Sequence, residues 1–145
     1  MRIKYNDGDK INHNSVGAII RDKEGKILVL NHIKYNFITL PIGKADLNKI
    51  QKEELIREIK EETDIDILEL HEVTREKKVD IRDDAEVTME IILFEVAKWT
   101  GTAKNMEPQK HRFVKFMSFD KILIATNNGE NTSWMTKMFI KNKSN

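Results

Sequence analysis

Four glutamates recur in the middle of the chain at spacings that place them on one side of a helix: Glu54, Glu58, Glu61 and Glu62. At a helical rotation of about 100° per residue, their side chains share an arc of about 100°. Like charges four residues apart destabilise a helix by about 0.2–0.5 kcal/mol per pair, and a cation would relieve that repulsion. Carboxylate oxygens are the ligands that Mg²⁺ and Mn²⁺ prefer. The spacing therefore predicts a divalent-metal site.

A helix from about Asn48 to Thr63 is predicted to carry these glutamates. Its apolar residues fall on the neighbouring arc, so the acidic strip borders the buried side: Leu55, Ile56 and Ile59. The alternative is a solvated charged face. A mixed-charge face is already predicted on the opposite side of the helix, formed by Lys49, Glu53, Arg57 and Lys60. Because the acidic strip holds a single sign of charge, the metal site is favoured.

The other elements are predicted from the alternation of apolar residues and from turn residues. Ser15–Ile20 and Ile27–Leu30 flank a Gly-containing turn and are interpreted as a β-hairpin. Further strands are expected at Phe37–Leu40, from Ile65 to Leu70, at Val87–Ala97 and at Phe113–Phe119, and the apolar content of Val87–Ala97 predicts a central strand. A helix is expected to start at Ser118, and a C-terminal helix to cover Thr132–Lys141. The order β–β–α–β–β–β–α favours an α+β fold with a mixed sheet covered by helices.

Composition excludes several classes of protein. The 145 residues include 39% hydrophobic and 34% charged residues, which suits one globular domain, and a net charge of +1 gives no sign of nucleic-acid binding. Without cysteine there is no disulfide, Cys-ligated zinc or thiol nucleophile. The polar N-terminus lacks an apolar signal core, and no apolar run approaches the ~18 residues of a membrane span. A cytoplasmic protein without membrane contact, monomeric or homodimeric, is expected.

Two separated segments together resemble the Nudix box, G-x5-E-x7-R-E-U-x-E-E-x-G-U, in which U is a bulky aliphatic residue. They are Leu40–Lys44 and Arg57–Ile65, so that the box occupies residues 43 to 65. The resemblance extends to Arg21–Leu30, similar to the opening hairpin of the family, to Lys98–Gly101, similar to a common strand end, and to Asn105–His111, similar to its "EPxKH" loop. It covers roughly residues 15 to 123.

The resemblance implies an α/β/α sandwich forming a single domain over residues 1–145. It also implies a Mg²⁺-dependent hydrolase (Mn²⁺ being an alternative ion) that cleaves a diphosphate linkage in a nucleoside diphosphate joined to another moiety. MutT-like action on nucleoside triphosphates is one form of this activity. The implied partner is a small-molecule nucleotide.

The resemblance also implies the roles of individual residues. Glu58, Glu61 and Glu62 would hold the metal ions, and one of them would deprotonate the attacking water. The backbone carbonyl of Ile42 and the side chain of Glu107 would be further ligands. Arg57 would orient the carboxylates, and Gly43 and Lys44 would belong to a substrate loop.

Three positions depart from the family pattern. Lys49 stands in place of the first Glu, Asp64 in place of the last Gly, and Ile42 in place of the first Gly of "PGGK". Asp64 is expected to adopt the left-handed conformation, which Asp tolerates better than most residues. Ile42 resists positive φ, so its loop must use β-region angles or be shifted. If the helix includes Lys49, its side chain points about 180° away from Glu58.

Two alternatives to an active enzyme stay open. The missing Glu at position 49 suits a catalytically decayed Nudix-fold nucleotide-binding module, and a solvated helix suits a scaffold protein. Against decay, Glu53 lies four residues before Arg57 and is expected to replace the missing Glu as its partner. His111 is expected on the polar surface, and Phe94, Trp99 and Phe116 in the core. Substrate specificity is assigned to two loops, Lys34–Phe37 and Lys77–Glu86. The side chains of Tyr35 and Trp134 are expected either to line the substrate cleft or to pack within the fold.

Overall fold

The computed structural model describes residues 11–82 and 85–144. Most of the polar N-terminal stretch, and Asp83–Asp84 of the predicted Lys77–Glu86 loop, lie outside the described residues. In chain order the elements are β1 (Ile11–Ile19), β2 (Ile27–His32), β3 (Phe37–Thr39), β4 (Ile42–Ala45), α1 (Gln51–Thr63), β5 (Asp66–Arg82), β6 (Ala85–Thr100), β7 (His111–Met117), α2 (Phe119–Ala125) and α3 (Trp134–Ser144).

The strands form two sheets. The larger has the order β4-β1-β6-β5, in which β1 and β6 are parallel and the other two pairs are antiparallel. The smaller has the order β3-β2-β7 and is antiparallel throughout. The predicted mixed sheet is therefore confirmed, and the segment Val87–Ala97 lies in β6 between β1 and β5, as its apolar content suggested. No described helix combines the length and apolar character needed to cross a membrane.

Alternate residues of the strands build a core on each face of the larger sheet. On β6, Ile92 and Phe94 pack with Leu55 and Ile59 of α1. The neighbouring residues of β6 point the other way and join residues of β1, α2 and α3: Met89, Ile91 and Leu93 with Ile19, Ile122, Met135, Met138 and Phe139. Helices thus cover both faces of the strands. This confirms the α/β/α sandwich and a C-terminal helix, which begins at Trp134 rather than at Thr132.

The predicted β-hairpin of Ser15–Ile20 and Ile27–Leu30 is wrong beyond its turn. The two strands belong to different sheets, because both edges of β1 are paired with β4 and β6. Between the two segments there remain one antiparallel bridge, Arg21 to Ile27, and a 2.9 Å hydrogen bond from the Leu28 N–H to the Ile20 carbonyl. The turn itself forms as expected, with Gly25 at φ +80°.

The stretch Lys77–Glu86 is not a loop in the part of it that the structure describes. β5 and β6 stay paired from Asp66–Thr100 to Arg82–Ala85, so that this stretch is the far end of a long antiparallel ribbon. Backbone pairing with β6 satisfies the peptide groups of β5 that face β6, whatever the polarity of the side chains. The sequence reasoning also missed β4, a four-residue strand that contains the first glycine of the box.

Candidate active site

Strand β4 and helix α1 approach each other closely at Gly43. This residue pairs with Val16 of β1, and a Cβ built on it would lie 2.6 Å from Cγ of Glu58. Such a separation is far below van der Waals contact, so the approach requires glycine at position 43. Ile42 is a β4 residue and is not among the residues with positive φ, so that the loop uses extended angles. The glycine therefore allows the box strand to lie against the acidic helix.

The end of α1 shows why Asp64 is tolerated in place of glycine. Asp64 has φ 64° and ψ 18°, and its N–H bonds to the Lys60 carbonyl at 3.0 Å. Its carboxylate forms ion pairs with Lys60 at 3.1 Å and with Lys104 at 3.6 Å. The expected left-handed conformation is confirmed, and the two lysines also lower the pKa of Asp64, chiefly through the hydrogen bond from Lys60.

Helix α1 begins later than predicted, which changes the place of Lys49. The first helical residue is Gln51, and Ile50 is the N-cap. Lys49 is exposed and lies in a preceding turn, where its N–H bonds to the Asp46 carbonyl at 3.0 Å. The helical-wheel placement of Lys49 opposite Glu58 is therefore wrong. Two residues of the predicted helix, Asn48 and Lys49, belong to this turn because Asp46 and Asn48 favour turns over helix.

The four glutamates of the strip divide into an inner and an outer pair. Glu62 is 9% exposed, and Glu58 and Glu62 line a cavity together with Ile42, Gly43 and Lys44. On the outer side, the Arg57 guanidinium donates to Glu61 at 2.8 Å, to Glu54 at 2.6 Å and to Glu58 at 3.1 Å. Helical spacing suggested a strip with a single sign of charge, but the Arg57 guanidinium lies among its glutamates. Arg57 also pairs with Glu54 rather than with Glu53, because a residue three positions away is equally within its reach.

A third carboxylate and a histidine complete the inner site. The ligand atoms of Glu62, Glu107 and His111 all lie within 4.8 Å of one another, and His111 Nε2 is 3.7 Å from Glu62 Oε2. His111 is only 3% exposed, so its predicted surface position is wrong. The period-two pattern of the strand, carried back two residues from Phe113, would have placed His111 on the same face. In the structure β7 does begin at His111, opposite His32 of β2.

Burial dominates the electrostatics of this site. It raises the pKa of Glu62 to about 8, with smaller contributions from the charges of Glu58 and Glu107. It also raises the pKa of Glu58, against the opposing effect of Arg57, and it lowers the pKa of His111. Among the described residues, Glu62 Oε1 and His111 Nδ1 are buried without a hydrogen-bond partner. Carboxylates held close together in a buried site, with one oxygen unsatisfied, suit a divalent cation.

Aromatic side chains surround the other end of the cavity, which has a volume of about 460 Å³. The rings of Tyr35 and Phe37 stack with centroids 5.5 Å apart, and Tyr35 lies 4.7 Å from the ring of His32. Both aromatics also line an adjoining cavity of about 380 Å³, whose wall includes Trp134 and Ser133. The Lys34–Phe37 loop therefore does border the cavity, as does Lys110 from the loop before β7.

Of the three aromatics predicted in the core, Phe94 is buried there, whereas Trp99 and Phe116 are only partly buried. Phe94 is 2% exposed, and Trp99 stacks on Phe116 with ring centroids 5.8 Å apart. The Trp99 indole N–H donates to the Arg21 carbonyl at 2.9 Å. Phe94 belongs to the core on the α1 face of the larger sheet, and the other two rings pack against that core and do not line the cavity.

Comparisons with known proteins agree with this geometry. The sequence model of the NUDIX domain family matches residues 11–138. The ORF135 protein of E. coli has a similar solved structure (TM-score 0.72, 19% identity, covering 92% of this chain and 89% of that one). The mutator MutT protein from Bacillus halodurans is also similar (TM-score 0.68, 17% identity, covering 89% of this chain and 80% of that one). The C. elegans Ap4A hydrolase is similar as well (TM-score 0.58, 19% identity, covering 92% of this chain and 98% of that one). No curated protein matches in sequence. The family match extends over most of the chain and includes both α1 and the loop before β7, which carry residues of the inner site. The chain therefore belongs to the Nudix family of pyrophosphohydrolases.

Proposed function

We propose that the protein hydrolyses a diphosphate linkage in a nucleoside diphosphate joined to another group, with Mg²⁺ or Mn²⁺ as cofactor, in the cytoplasm. The observation that carries this proposal is the convergence of Glu58 and Glu62 on one cavity, beside the glycine that lets β4 approach α1. A buried carboxylate with an unsatisfied oxygen is costly unless it is protonated or coordinates a cation. The inner site is thus suited to metal-assisted hydrolysis.

Different residues would bind the ion, position the carboxylates and contact the diphosphate at one end of the cavity. Glu58, Glu62 and Glu107 would hold the ion, together with the backbone carbonyl of Ile42. Arg57 positions Glu58 and Glu61 through its hydrogen bonds to both. When bound, the ion would neutralise the diphosphate and lower the pKa of the attacking water. Lys44 and Lys110 line the same cavity, and their charges would meet the diphosphate oxygens.

A nucleoside suits the aromatic end of the cavity. Tyr35 stacks on Phe37 and is 57% exposed, so that part of its ring surface is available for contact with a planar base. Stacking of a base on an aromatic side chain is worth about 1–3 kcal/mol in nucleic-acid complexes. The structural neighbours named MutT and Ap4A hydrolase are consistent with a nucleotide substrate. Together these features favour a nucleotide over a purely inorganic diphosphate.

A substrate panel tests the proposal. The chelator-treated protein is mixed with nucleoside triphosphates, nucleotide sugars and dinucleoside polyphosphates at alkaline pH, with and without Mg²⁺, and released phosphate is measured with a coupling pyrophosphatase or phosphatase. We expect Mg²⁺-dependent release from at least one class, abolished in Glu62→Gln. Absence of release from every class, by wild-type protein that still binds nucleotide, would contradict the proposal.

Lys49 distinguishes an altered enzyme from a decayed one. Lys49 is exposed and precedes α1. Because Arg57 already has Glu54 and Glu61 as partners, the missing glutamate does not leave Arg57 unpaired. We therefore expect Lys49→Glu to change turnover less than about tenfold, or less than about 1.4 kcal/mol in the barrier. An inert wild type that Lys49→Glu activates would instead favour the nucleotide-binding module.

A further inference from the structure

We propose that Glu62, Glu107 and His111 form a cation site with a nitrogen ligand, so that this protein binds a first-row transition ion such as Mn²⁺, Co²⁺ or Zn²⁺ in preference to Mg²⁺. The inference rests on the proposed function in that it concerns the same cavity. It goes further by assigning His111 as a direct ligand and by predicting which ions the cavity selects.

Three separate elements bring the ligand atoms together. Glu62 lies in the last turn of α1, Glu107 in the loop before β7, and His111 at the first position of β7. Backbone hydrogen bonds tie these elements to one another: the Met106 N–H donates to the Glu62 carbonyl at 3.1 Å, and the His111 N–H to the Glu107 carbonyl at 3.0 Å. Backbone hydrogen bonds therefore hold the three segments that carry the cluster next to one another.

Unsatisfied atoms in the cluster indicate a ligand. Glu62 is 9% exposed and His111 3% exposed, and within the part of the chain that the structure describes neither Glu62 Oε1 nor His111 Nδ1 has a hydrogen-bond partner. The 3.7 Å between His111 Nε2 and Glu62 Oε2 is too long for a hydrogen bond. Buried polar atoms left without a partner destabilise the folded state. A cation shared by the carboxylates and one ring nitrogen of His111 would give the unpartnered carboxylate oxygen a partner.

The donor set determines the preferred ion. Mg²⁺ favours all-oxygen ligands and keeps several waters, whereas imidazole suits Zn²⁺ and the other transition ions. Two carboxylates and one imidazole therefore favour ions that accept both kinds of donor. The competing interpretation is that His111 only packs against its neighbours in the cavity wall.

His32 is a matched control for that interpretation. It pairs with His111 in the β2–β7 register, its ring lies 5.5 Å from that of His111, and its Nδ1 is also buried without a partner. It lines the same cavity but is not a member of the three-residue cluster. A packing role would make the two histidines equivalent, whereas a ligand role would not.

Co²⁺ provides the test, because its visible absorption reports on nitrogen ligation. The full-length, chelator-treated protein is titrated with Co²⁺ by absorption and with Mg²⁺ by calorimetry, for the wild type, His111→Gln and His32→Gln. Even partners of metal ligands cost about 10- to 100-fold in metal affinity when mutated, so we expect His111→Gln to lose at least about tenfold in Co²⁺ affinity. Its spectrum should shift and its Mg²⁺ affinity should stay nearly constant. His32→Gln should retain the wild-type spectrum.

An independent measurement keeps the proposal testable if His111→Gln does not fold. The chain has only four histidines, so ¹⁵N-histidine labelling of the wild type gives few resonances. Zn²⁺ should shift the ring nitrogens of His111 more than those of any other histidine. Unchanged His111 resonances at saturating Zn²⁺, or equal Co²⁺ spectra in the wild type and His111→Gln, would overturn the proposal. Mg²⁺-dependent hydrolysis surviving either result would leave the proposed function intact.

Discussion

Burial of the Glu62 side chain ties the stability of the metal-free protein to pH. Its pKa of about 8 in the folded protein exceeds the ordinary value of 4.5, so the folded state holds this proton more tightly than the unfolded state does. The contribution is fully present below about pH 4.5 and is lost as the pH rises through 8. In EDTA, we expect the free energy of unfolding to fall by about 2–3 kcal/mol from this group between about pH 6 and pH 9.

Urea unfolding of the wild type and Glu62→Gln at both pH values measures this effect. Gln cannot ionise, so the variant should lose less stability over the same interval, and the difference between the two proteins isolates Glu62. Equal losses in both proteins would mean that Glu62 titrates normally, and that its burial exerts no such effect.

Turnover should depend on the inner glutamates and not on the outer face of α1. We expect Glu58→Gln and Glu62→Gln each to lower kcat/KM at least about a hundredfold, or about 2.7 kcal/mol, because Gln keeps the size but not the charge that would hold the ion. Glu53→Gln, an exposed change on the same helix, is the control and should retain wild-type kinetics. Nearly normal activity in both inner variants would remove α1 from the active site.

At the scale of the elements, the fit of β4 against α1 should be sensitive to a single methyl group. The Cβ of Gly43→Ala would lie 2.6 Å from Glu58 Cγ and 3.1 Å from its Cβ, so strand and helix must separate. Overpacking of this kind costs about 1–3 kcal/mol. We expect lower stability together with lower turnover, since Glu58 is displaced from the cavity.

Gly25→Ala is the matched control for that experiment. Gly25 has φ +80° and nothing within 4 Å of the added Cβ, so only backbone strain of about 1–2 kcal/mol is expected. The turn lies outside the cavity lining, and turnover of the folded variant should be normal. If both alanine variants affect turnover equally, the close approach at Gly43 has no special role in the site.

Local patterns predicted the parts of these elements that depend on near neighbours. The amphipathic period gave α1, the sign of the Asp64 φ followed from its place after a helix, and Ser118 caps α2 by accepting from the Lys121 N–H at 3.3 Å. The predicted partner of Arg57, Glu53, was wrong because Glu53 and Glu54 are both close enough along the helix to pair with Arg57. Helical spacing alone does not determine which of them pairs with Arg57.

At the scale of the whole molecule, the features that sequence missed depend on contacts between distant segments. The separation of β1 from β2 follows from the pairing of β1 with β6, about 75 residues later, and not from the turn that joins them. The burial of His111 against Glu62 likewise requires two segments about 50 residues apart to meet. Residue spacing does not encode contacts between such distant segments. The family resemblance, by contrast, did identify the carboxylates of the inner site.

Metal binding should stabilise the whole fold. The inner site joins α1, β4 and the loop before β7, so an ion held there binds the native state in preference to the unfolded chain. At 100 times its Kd, such an ion contributes about 2.7 kcal/mol. We expect millimolar Mg²⁺ or Mn²⁺ to raise the Tm of the wild type measured by calorimetry, and to raise that of Glu62→Gln much less. Identical shifts in both proteins would indicate binding elsewhere on the surface.

We propose that water attacks a diphosphate at the cavity lined by Glu58 and Glu62, with help from a divalent ion. This attack is tested by hydrolysis of the best panel substrate in ¹⁸O-water, followed by mass spectrometry of both products, with Mg²⁺ or with EDTA. We predict that the wild type with Mg²⁺ releases products of which one carries a single ¹⁸O on phosphorus, and that neither EDTA-treated wild type nor Glu62→Gln does so. Equal ¹⁸O incorporation by the wild type and Glu62→Gln would contradict the account.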